Sequence, residues 1–320
     1  NTIFTKDMVS GKITRLKGVE LNTLTNKPIT NIMPYYTKYK NIIESKTDEI
    51  KKSFKIESNQ LVVKIKKESL KILHLGDLHI PFQIDEQVQL AMNQNATADI
   101  VIVTELIDCY SLSRFNRNLA IPFYVEVDNA IRYLETLSEN FPFVFVMSGN
   151  HEKRISTQFM SNIPNELLFL VEDNLLKFLA KPFSNIIVFD APILQVNDTI
   201  FSHAEFFSKV DLKAGITMRQ FILEWSEALG LDKNFSTIVQ SHTHMLGATY
   251  RGSNEKIFET GCLCSIPDYA VDKFYSKPQT NGYIVIIQNN GVTDFTLSRE
   301  YPLQTPKYIA NYDPVMRGGK

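Results

Sequence analysis

The composition of this chain is that of an ordinary globular protein. Its 320 residues are 44% hydrophobic, enough for a packed core in one large domain or in one domain with an appendage. The formal net charge of −1 excludes a protein that holds nucleic acid by bulk electrostatic attraction. The sequence has no apolar run near the roughly 18 residues needed to span a bilayer, which excludes a membrane-spanning protein.

Residues 1–60 are predicted to form an N-terminal extension, and their sequence assigns it no role. The run NKPITNIMP is rich in turn formers, and residues 38–55 predict a helix. Residues 38–71 carry ten lysines against five acidic residues. The ordinary interpretation is that these lysines lie on a solvent-exposed helix face and on an edge strand whose charge prevents pairing with other strands. The alternative is a basic surface that binds the phosphate backbone of a nucleic acid beside the site.

From residue 61 onward, strand-like runs alternate with helical patterns. LVVKI and KILHL predict consecutive strands, followed by helices at 84–96 and 122–139 and by strands at 100–104 and 143–148. This βαβ rhythm predicts a parallel sheet with helices packed on it.

The second half predicts further helices and a second sheet. Helical patterns cover 155–181 and 211–229, and the strand-like runs after residue 245 complete the second sheet. An apolar stripe on the later helix is predicted to face the core rather than a substrate, and it consists of Met218, Phe221, Ile222 and Trp225. Residues 302–320 predict an irregular tail that packs on a partner.

Side chains that bind metals follow five of the apolar runs, in LGDLH, VTELID, SGNHE, FSHAE and QSHTH. Because the carboxyl ends of parallel strands share one edge of a sheet, these side chains are expected to meet. Imidazole, carboxylate and amide oxygen together suit first-row divalent metals. The candidate residues are Asp77, His79, Glu105, Asp108, Asn150, His151, His203, His242 and His244.

Each motif alone is a weak signal, because DxH and HxH are common and an isolated histidine is more often structural. The ordered set of five is what indicates a site. Cys262 and Cys264 could also bind a metal, but CxC is more typical of alternate residues in a strand. The three cysteines form no disulfide framework, which fits a reducing cytosol.

The motif order resembles the calcineurin-like metallophosphoesterase superfamily, whose pattern is DxH, GDxxD, GNHE or GNHD, H and HxH. The resemblance covers about residues 71–300 and implies an α/β fold over residues 61–301, a two-sheet sandwich flanked by helices in four αββα layers. It also implies two divalent ions, with manganese first and iron, zinc, nickel or magnesium as alternatives. By this resemblance Asp77, His79 and His244 hold one ion, Asn150, His203 and His242 hold the other, Glu105 bridges them, and His151 is the catalytic imidazole.

The chain departs from the family pattern beside the bridge. Thr104 and Glu105 stand where the family has Gly-Asp, so the longer carboxylate needs extra room and Thr104 crowds the backbone. Ala204 and Ser241 also replace frequent glycines. Altered metal preference, slow turnover and a binding site without catalysis all stay open.

The remaining candidates concern catalysis and substrate. Asp108 is expected to join the catalytic set by orienting His151, with a loop or cap carboxylate as the alternative. Arg114, Lys153 and Arg154 flank these loops and could contact substrate phosphate, although solvation is the commoner state of each.

The function implied by the resemblance is metal-dependent hydrolysis of a phosphoester. ELIDCYSLSRF and GNHEKR resemble the DNA-repair-exonuclease and phage-encoded branch, which favours a phosphodiesterase or nuclease acting on nucleic acid or nucleotide. The protein phosphatases usually carry Arg where this chain has Cys109. The alternatives are a phosphomonoesterase or phosphoprotein phosphatase, and a degenerate relative that serves as a structural subunit. We expect the protein in the cytoplasm of a bacterial or phage-infected cell, with partner or oligomer contacts made by the extension and tail.

Overall fold

The computed structural model describes residues 61–113, 119–155, 175–206, 208, 210–267 and 279–305, with the backbone of three strands nearer the N-terminus. These strands are β1 (Thr2–Lys6), β2 (Ile13–Lys17) and β3 (Phe54–Ile56), and β1 pairs with β2. The helix predicted over 38–55 lies outside the described residues except for its last two positions, which are in β3. The tail after residue 305 also lies outside them.

One sheet, here called sheet I, contains the βαβ repeats. Its strands β5 (Ser69–Leu75), β6 (Ile100–Thr104), β7 (Phe143–Met147) and β8 (Ile186–Phe189) are parallel neighbours. Strand β14 (Gly282–Asn289) runs antiparallel beside β5 and pairs with β15 (Val292–Thr293) and β16 (Arg299–Pro302). The helices are α1 (Asp85–Gln94), α2 (Phe123–Asn140) and α3 (Leu175–Ala180).

The second sheet, sheet II, has seven strands in the order β12-β13-β11-β10-β9-β4-β3. They are β4 (Val62–Ile65), β9 (Ile193–Val196), β10 (Thr199–Ser202), β11 (Thr237–Gln240), β12 (Gly247–Arg251) and β13 (Glu255–Glu259), with β3 at the edge. Strand β10 is parallel to β11, and β11 is parallel to β13. Helix α4 (Lys213–Leu229) connects β10 to β11.

Alternating side chains of the strands build three separate apolar layers. Ile72 faces sheet II, where it joins Phe201 and Val239, whereas its neighbour Leu73 faces the helices α1 and α2. The outer face of sheet II packs on α4, with Met218 of that helix among its contacts. The order is therefore helix, sheet, sheet, helix, which confirms the predicted α/β fold with two sheets flanked by helices.

The predicted stripe on α4 is only partly a core stripe. Met218 and Ile222 are buried, but Phe221 is half-buried and Trp225 is 52% exposed. The buried line continues from Ile222 to Ser226, four residues on, so the Trp225 ring falls beside it and stacks on Phe221 instead. None of the described helices is long and apolar enough to cross a membrane.

Candidate metal centre

The candidate ligands lie in loops that follow the carboxyl ends of parallel strands in both sheets. Asp77, Glu105 and Asn150 follow the adjacent parallel strands β5, β6 and β7 of sheet I. His203 and His242 follow the parallel strands β10 and β11 of sheet II. Because the sheets pack face to face, the loops leaving these strands converge on one cluster.

The backbone adopts a left-handed conformation at five of these positions. The φ angles are 49° at Asp77, 47° at His79, 51° at Glu105, 75° at His242 and 56° at His244. Residues other than glycine seldom adopt this conformation, which costs on the order of 1–3 kcal/mol at each position. Hydrogen bonds hold the first loop in this shape, from the Asp77 N–H to the Thr104 carbonyl at 3.0 Å and from the His79 N–H to the Glu105 carbonyl at 3.2 Å.

A first ligand group consists of Asp77, His79, Glu105 and His244. Their ligand atoms all lie within 4.8 Å of one another. The Nε2 atoms of His79 and His244 are 3.0 Å apart, and Asp77 Oδ1 is 3.6 Å from His244 Nε2. Two imidazole nitrogens and a carboxylate thus face one point.

A second ligand group consists of Glu105, His203 and His242, whose ligand atoms also lie within 4.8 Å of one another. The amide oxygen of Asn150 is 3.4 Å from His203 Nε2, which places Asn150 beside this group. The structure thus brings the seven side chains close together, and their assignment as ligands of two ions stays a prediction.

Glu105 joins the two groups through one oxygen. Its Oε2 atom lies 3.1 Å from His79 Nε2 and 3.1 Å from His203 Nε2. Its Oε1 atom accepts a hydrogen bond from the backbone N–H of His151 at 3.1 Å. A Cβ atom at Gly149 would come within 2.8 Å of Oε1, so this glycine provides the room that the longer carboxylate needs.

Two of the residues that replace frequent glycines of the similar family, Thr104 and Ser241, contact each other. The buried Thr104 hydroxyl donates a hydrogen bond to Ser241 Oγ at 3.0 Å, and Thr260 donates to the same oxygen at 3.3 Å. Thr104 precedes Glu105 in sheet I, and Ser241 precedes His242 in sheet II. The hydrogen bond between these two hydroxyls therefore links sheet I to sheet II next to Glu105.

Asp108 orients two histidines at once. Its Oδ2 atom lies 2.9 Å from His79 Nδ1 and 3.1 Å from His151 Nδ1. Both Nδ1 atoms donate to this carboxylate, so Nε2 is the ring nitrogen through which His79 faces the first ligand group. Asp108 is fully buried, and although burial opposes its ionisation, hydrogen bonds and charge from His151 and His79 hold its pKa well below the usual range.

Burial and close charges shift the pKa values of the ligands in opposite directions. Burial raises the pKa of Asp77 to about 6, whereas that of Glu105 stays well below its usual range because His151 and other histidines outweigh burial. Burial alone would lower the pKa of His203, but Glu105 and Asp77 raise it to about 9. Burial and then His203 lower the pKa of His242 to about 2. At neutral pH Glu105 is thus ionised and His242 neutral, the forms in which these groups bind a cation, whereas His203 is protonated and has to release its proton when a cation binds.

The cluster fits divalent metal ions. Asp77 Oδ1 and His203 Nδ1 are buried and have no hydrogen-bond partner among the described residues, a costly state unless a cation is bound. The donor set of carboxylate, imidazole and amide suits first-row ions. These buried residues can hold metal ions, and their identity is open.

The three basic residues predicted for substrate phosphate differ in their placement. Arg154 donates from Nη1 to the Asp108 carbonyl at 2.9 Å and to Asp108 Oδ1 at 3.0 Å, and its Nη2 lies 3.0 Å from His151 Nε2. Lys153 is exposed, and Arg114 lies outside the described residues. Arg154 is therefore part of the histidine–carboxylate network rather than a solvated side chain.

Two further residues belong to the site. Glu152 accepts hydrogen bonds from the Gly149 N–H at 2.9 Å and the Ile107 N–H at 3.2 Å, so it holds the β6 and β7 loops together. The ligand atoms of Cys264, His79 and His244 lie within 4.8 Å of one another. In the sequence, Glu152 is the last residue of the GNHE motif. Cys264 is the second cysteine of the CxC pair, a pattern that favoured alternate residues of a strand over a metal site.

No protein-family profile and no curated protein matches this chain. Solved structures similar to it include a Thermotoga maritima protein determined by NMR, with 12% identity and a TM-score of 0.35 over 73% of this chain and 99% of that one. Another is a Staphylococcus aureus protein described as a candidate 5′-nucleotidase in complex with α-ketoglutarate, with 12% identity and a TM-score of 0.36 over 77% of this chain and 56% of that one. Likenesses this weak carry no argument about function, which follows from the geometry of the site.

Proposed function

We propose that this protein is a two-metal phosphoesterase, and specifically a phosphodiesterase or nuclease acting on nucleic acid or nucleotide. The observation that carries the proposal is the position of Glu105 Oε2, 3.1 Å from a histidine nitrogen of each ligand group. A single carboxylate oxygen shared by two histidine-rich groups is the arrangement that holds a pair of ions close together. Two-metal sites of this kind serve phosphoester chemistry.

Asp77, His79 and His244 would hold one ion, Asn150, His203 and His242 the other, and Glu105 would contact both. Bound there, the two ions would neutralise phosphoryl oxygens and lower the pKa of a water between them. Asp77, Glu105 and His203 are buried, whereas Asn150, His151, His242 and His244 are half-buried. Substrate therefore approaches from the side of the second set.

His151 is the proton donor for the leaving oxygen in this proposal. Its Nδ1–H is fixed by Asp108, and its Nε2 is directed away from that carboxylate. When Nε2 is protonated, it can give this proton to an alkoxide leaving group while the Asp108 carboxylate holds the opposite ring nitrogen. Asp108 is thus a positioning residue that acts through His151.

The guanidinium group of Arg154 lies next to His151 Nε2, the atom that would donate this proton. An arginine only donates hydrogen bonds, so the 3.0 Å contact with His151 Nε2 requires that nitrogen to act as an acceptor. A substrate phosphate draws the guanidinium away from Nε2, because a charge-assisted bond to phosphate is stronger than one to neutral imidazole. Once Nε2 is released, His151 takes up a proton from solvent water and then donates it to the leaving oxygen.

The charges at the site favour a diester over a monoester. A monoester presents two negative charges at neutral pH and a diester one, so monoesterases need additional fixed cations. At the position where the protein phosphatases carry arginine, this chain has Cys109, which is fully buried in the core. Arg154 is meanwhile shared between Asp108 and His151.

The test is hydrolysis of bis-p-nitrophenyl phosphate and of p-nitrophenyl phosphate by the purified protein, with metal content measured on the same sample. We expect hydrolysis of the diester with added Mn²⁺, a lower rate with the monoester and loss of both with a chelator. His151→Ala is the matched control, because it should keep the metals and lose the diesterase activity.

Preference for the monoester would assign a phosphomonoesterase or phosphoprotein phosphatase instead. Full metal loading without hydrolysis of either ester would favour a structural subunit that retains the metal site. Absence of bound metal after loading would reject the whole proposal.

A further inference from the structure

We infer that the Cys264 thiolate is an additional ligand of the ion held by Asp77, His79 and His244, and that this position selects a thiophilic metal. The inference rests on the proposed metal centre and deepens it, because it assigns different metal preferences to the two positions. The thiophilic candidates are zinc and iron(II) rather than magnesium or manganese.

The geometry of three ligand atoms supports this assignment. Cys264 Sγ and one ring nitrogen each of His79 and His244 all lie within 4.8 Å of one another. Metal–sulfur and metal–nitrogen bonds of about 2.3 and 2.1 Å allow at most roughly 4.4 Å between two ligands of one ion. Small shifts of the side chains therefore suffice to bring the thiolate into coordination.

The backbone around Cys264 is fixed against the loop that carries Asp77 and His79. The Leu263 N–H donates to the Asp77 carbonyl at 3.3 Å, and the Ser265 N–H donates to the Phe82 carbonyl at 2.8 Å. The Cys264 carbonyl accepts hydrogen bonds from the side-chain amides of Gln279 and Asn281. A thiol held on both sides in this way stays next to the first ligand group.

Packing alone is the competing explanation, because a free cysteine often behaves as a small apolar side chain. Cys264 does belong to the same buried apolar cluster as Phe82 and Tyr110. Apolar packing does not require two imidazole nitrogens beside the sulfur, however, and these nitrogens belong to histidines that already face a carboxylate pair. The thiol thus completes a set of nitrogen, oxygen and sulfur ligands.

Cys262 provides a matched comparison within the same segment. It is also fully buried and lies near His244, but its Sγ contacts the carbonyl oxygens of Cys264 at 3.8 Å and Thr280 at 3.9 Å. Its side chain also hydrogen-bonds with the side chains of Cys264 and His244. Among the described residues, however, only the Cys264 sulfur lies within 4.8 Å of ring nitrogens of both His79 and His244. Replacing one cysteine at a time therefore distinguishes a ligand from its buried neighbour.

A thiolate is a soft ligand, so it would change which metal is preferred at the position held by Asp77, His79 and His244. Thiolate ligands select zinc and iron over the oxygen-seeking magnesium and manganese. The second position, with Asn150, His203 and His242, has no sulfur ligand among the described residues. We expect the two positions to fill with different ions when both kinds are supplied.

The experiment uses cobalt(II) as a spectroscopic probe in the 320-residue chain. The natural chain, Cys264→Ser and Cys262→Ser are loaded with cobalt, and bound metal and the near-ultraviolet sulfur-to-cobalt charge-transfer band are measured on each sample. The natural chain and Cys262→Ser should show the band. Cys264→Ser should lack it, keep cobalt at the second position and bind the first cobalt at least about tenfold more weakly.

A variant with Cys109→Ala and Cys262→Ser leaves Cys264 as the only thiol of the chain, which has three cysteines. The band in this variant would assign the sulfur directly, even if Cys264→Ser failed to fold. Two bound cobalt ions without the band in the natural chain would overturn the thiolate ligand and leave the two-metal proposal standing. Loss of the band with Cys262→Ser alone would overturn the choice of Cys264, and failure to bind cobalt would reject both proposals.

Discussion

The two ligand groups of the centre hold their histidines in different ways. In the first group, His79 Nδ1 is fixed by Asp108 at 2.9 Å, so its ring cannot rotate away from the ligand position. In the second group, His203 Nδ1 has no hydrogen-bond partner among the described residues and faces Asp77 Oδ1 at 3.7 Å. The first group is therefore pre-organised by neighbouring residues, whereas the second depends more on the cation itself.

The difference follows from where the supporting residues lie. Asp108 follows β6 by four residues, so one loop of sheet I supplies both Glu105 and the carboxylate that orients His79. The loop after β10 supplies His203, and no carboxylate of the described residues hydrogen-bonds to the Nδ1 atom of that ring. Metal binding should therefore be tighter in the first group, and changes that affect both groups should act through Glu105.

The largest effect is expected for Glu105→Gln. The amide keeps the size of the side chain but removes the charge that faces His79 and His203, so neither group should retain its ion. We expect loss of both metals and of all metal-dependent hydrolysis, measured by metal analysis and by the diester assay. Glu224→Gln, on the exposed surface of α4, is the control. Retention of the first metal alone would show that the groups do not share this carboxylate.

His151→Ala should lower turnover and leave both groups intact. The side chain contacts Asp108 and Arg154 but belongs to neither ligand group that includes Glu105. We expect kcat to fall by roughly 10²–10⁴, the range usual for a positioned proton donor. An equal loss of bound metal would make His151 a ligand and contradict this prediction.

Asp108→Asn should weaken metal binding in the first ligand group more than in the second. The change removes the charge that orients His79, and the expected result is a loss of about 10- to 100-fold in affinity for the first ion with little change for the second. Calorimetric titration with zinc would resolve the two steps. Equal weakening of both steps would indicate that the groups are not supported differently.

The smallest effect is expected at the Thr104–Ser241 hydrogen bond. Thr104→Val and Ser241→Ala each remove one hydroxyl from the contact between the sheets, at a cost of about 1 kcal/mol in the free energy of unfolding. Urea denaturation of both single variants and the double variant completes a cycle. Strict additivity in that cycle would mean that the two hydroxyls do not stabilise each other.

The sequence by itself determined the architecture and which side chains follow the strand ends as candidate ligands. The alternation of short apolar runs with helical patterns sets the βαβ order, and β6 spans the predicted residues 100–104. Since ligand residues directly follow strands, their convergence at one edge could be predicted from strand direction alone. The buried part of the α4 stripe followed from helical periodicity, but the exposure of Trp225 did not, because it depends on where the helix lies on the sheet.

Only the tertiary structure decided how the centre is held together. Thr104 and Ser241 are 137 positions apart, so their pairing became visible only when the two sheets were packed face to face. The left-handed turns carry no glycine at the ligand positions and thus leave no sequence signal. Arg154 and Cys264 took their places through packing of the loops against Asp108 and His244. Short-range patterns fix the strands and helices, whereas contacts between distant loops depend on the geometry of the assembled layers.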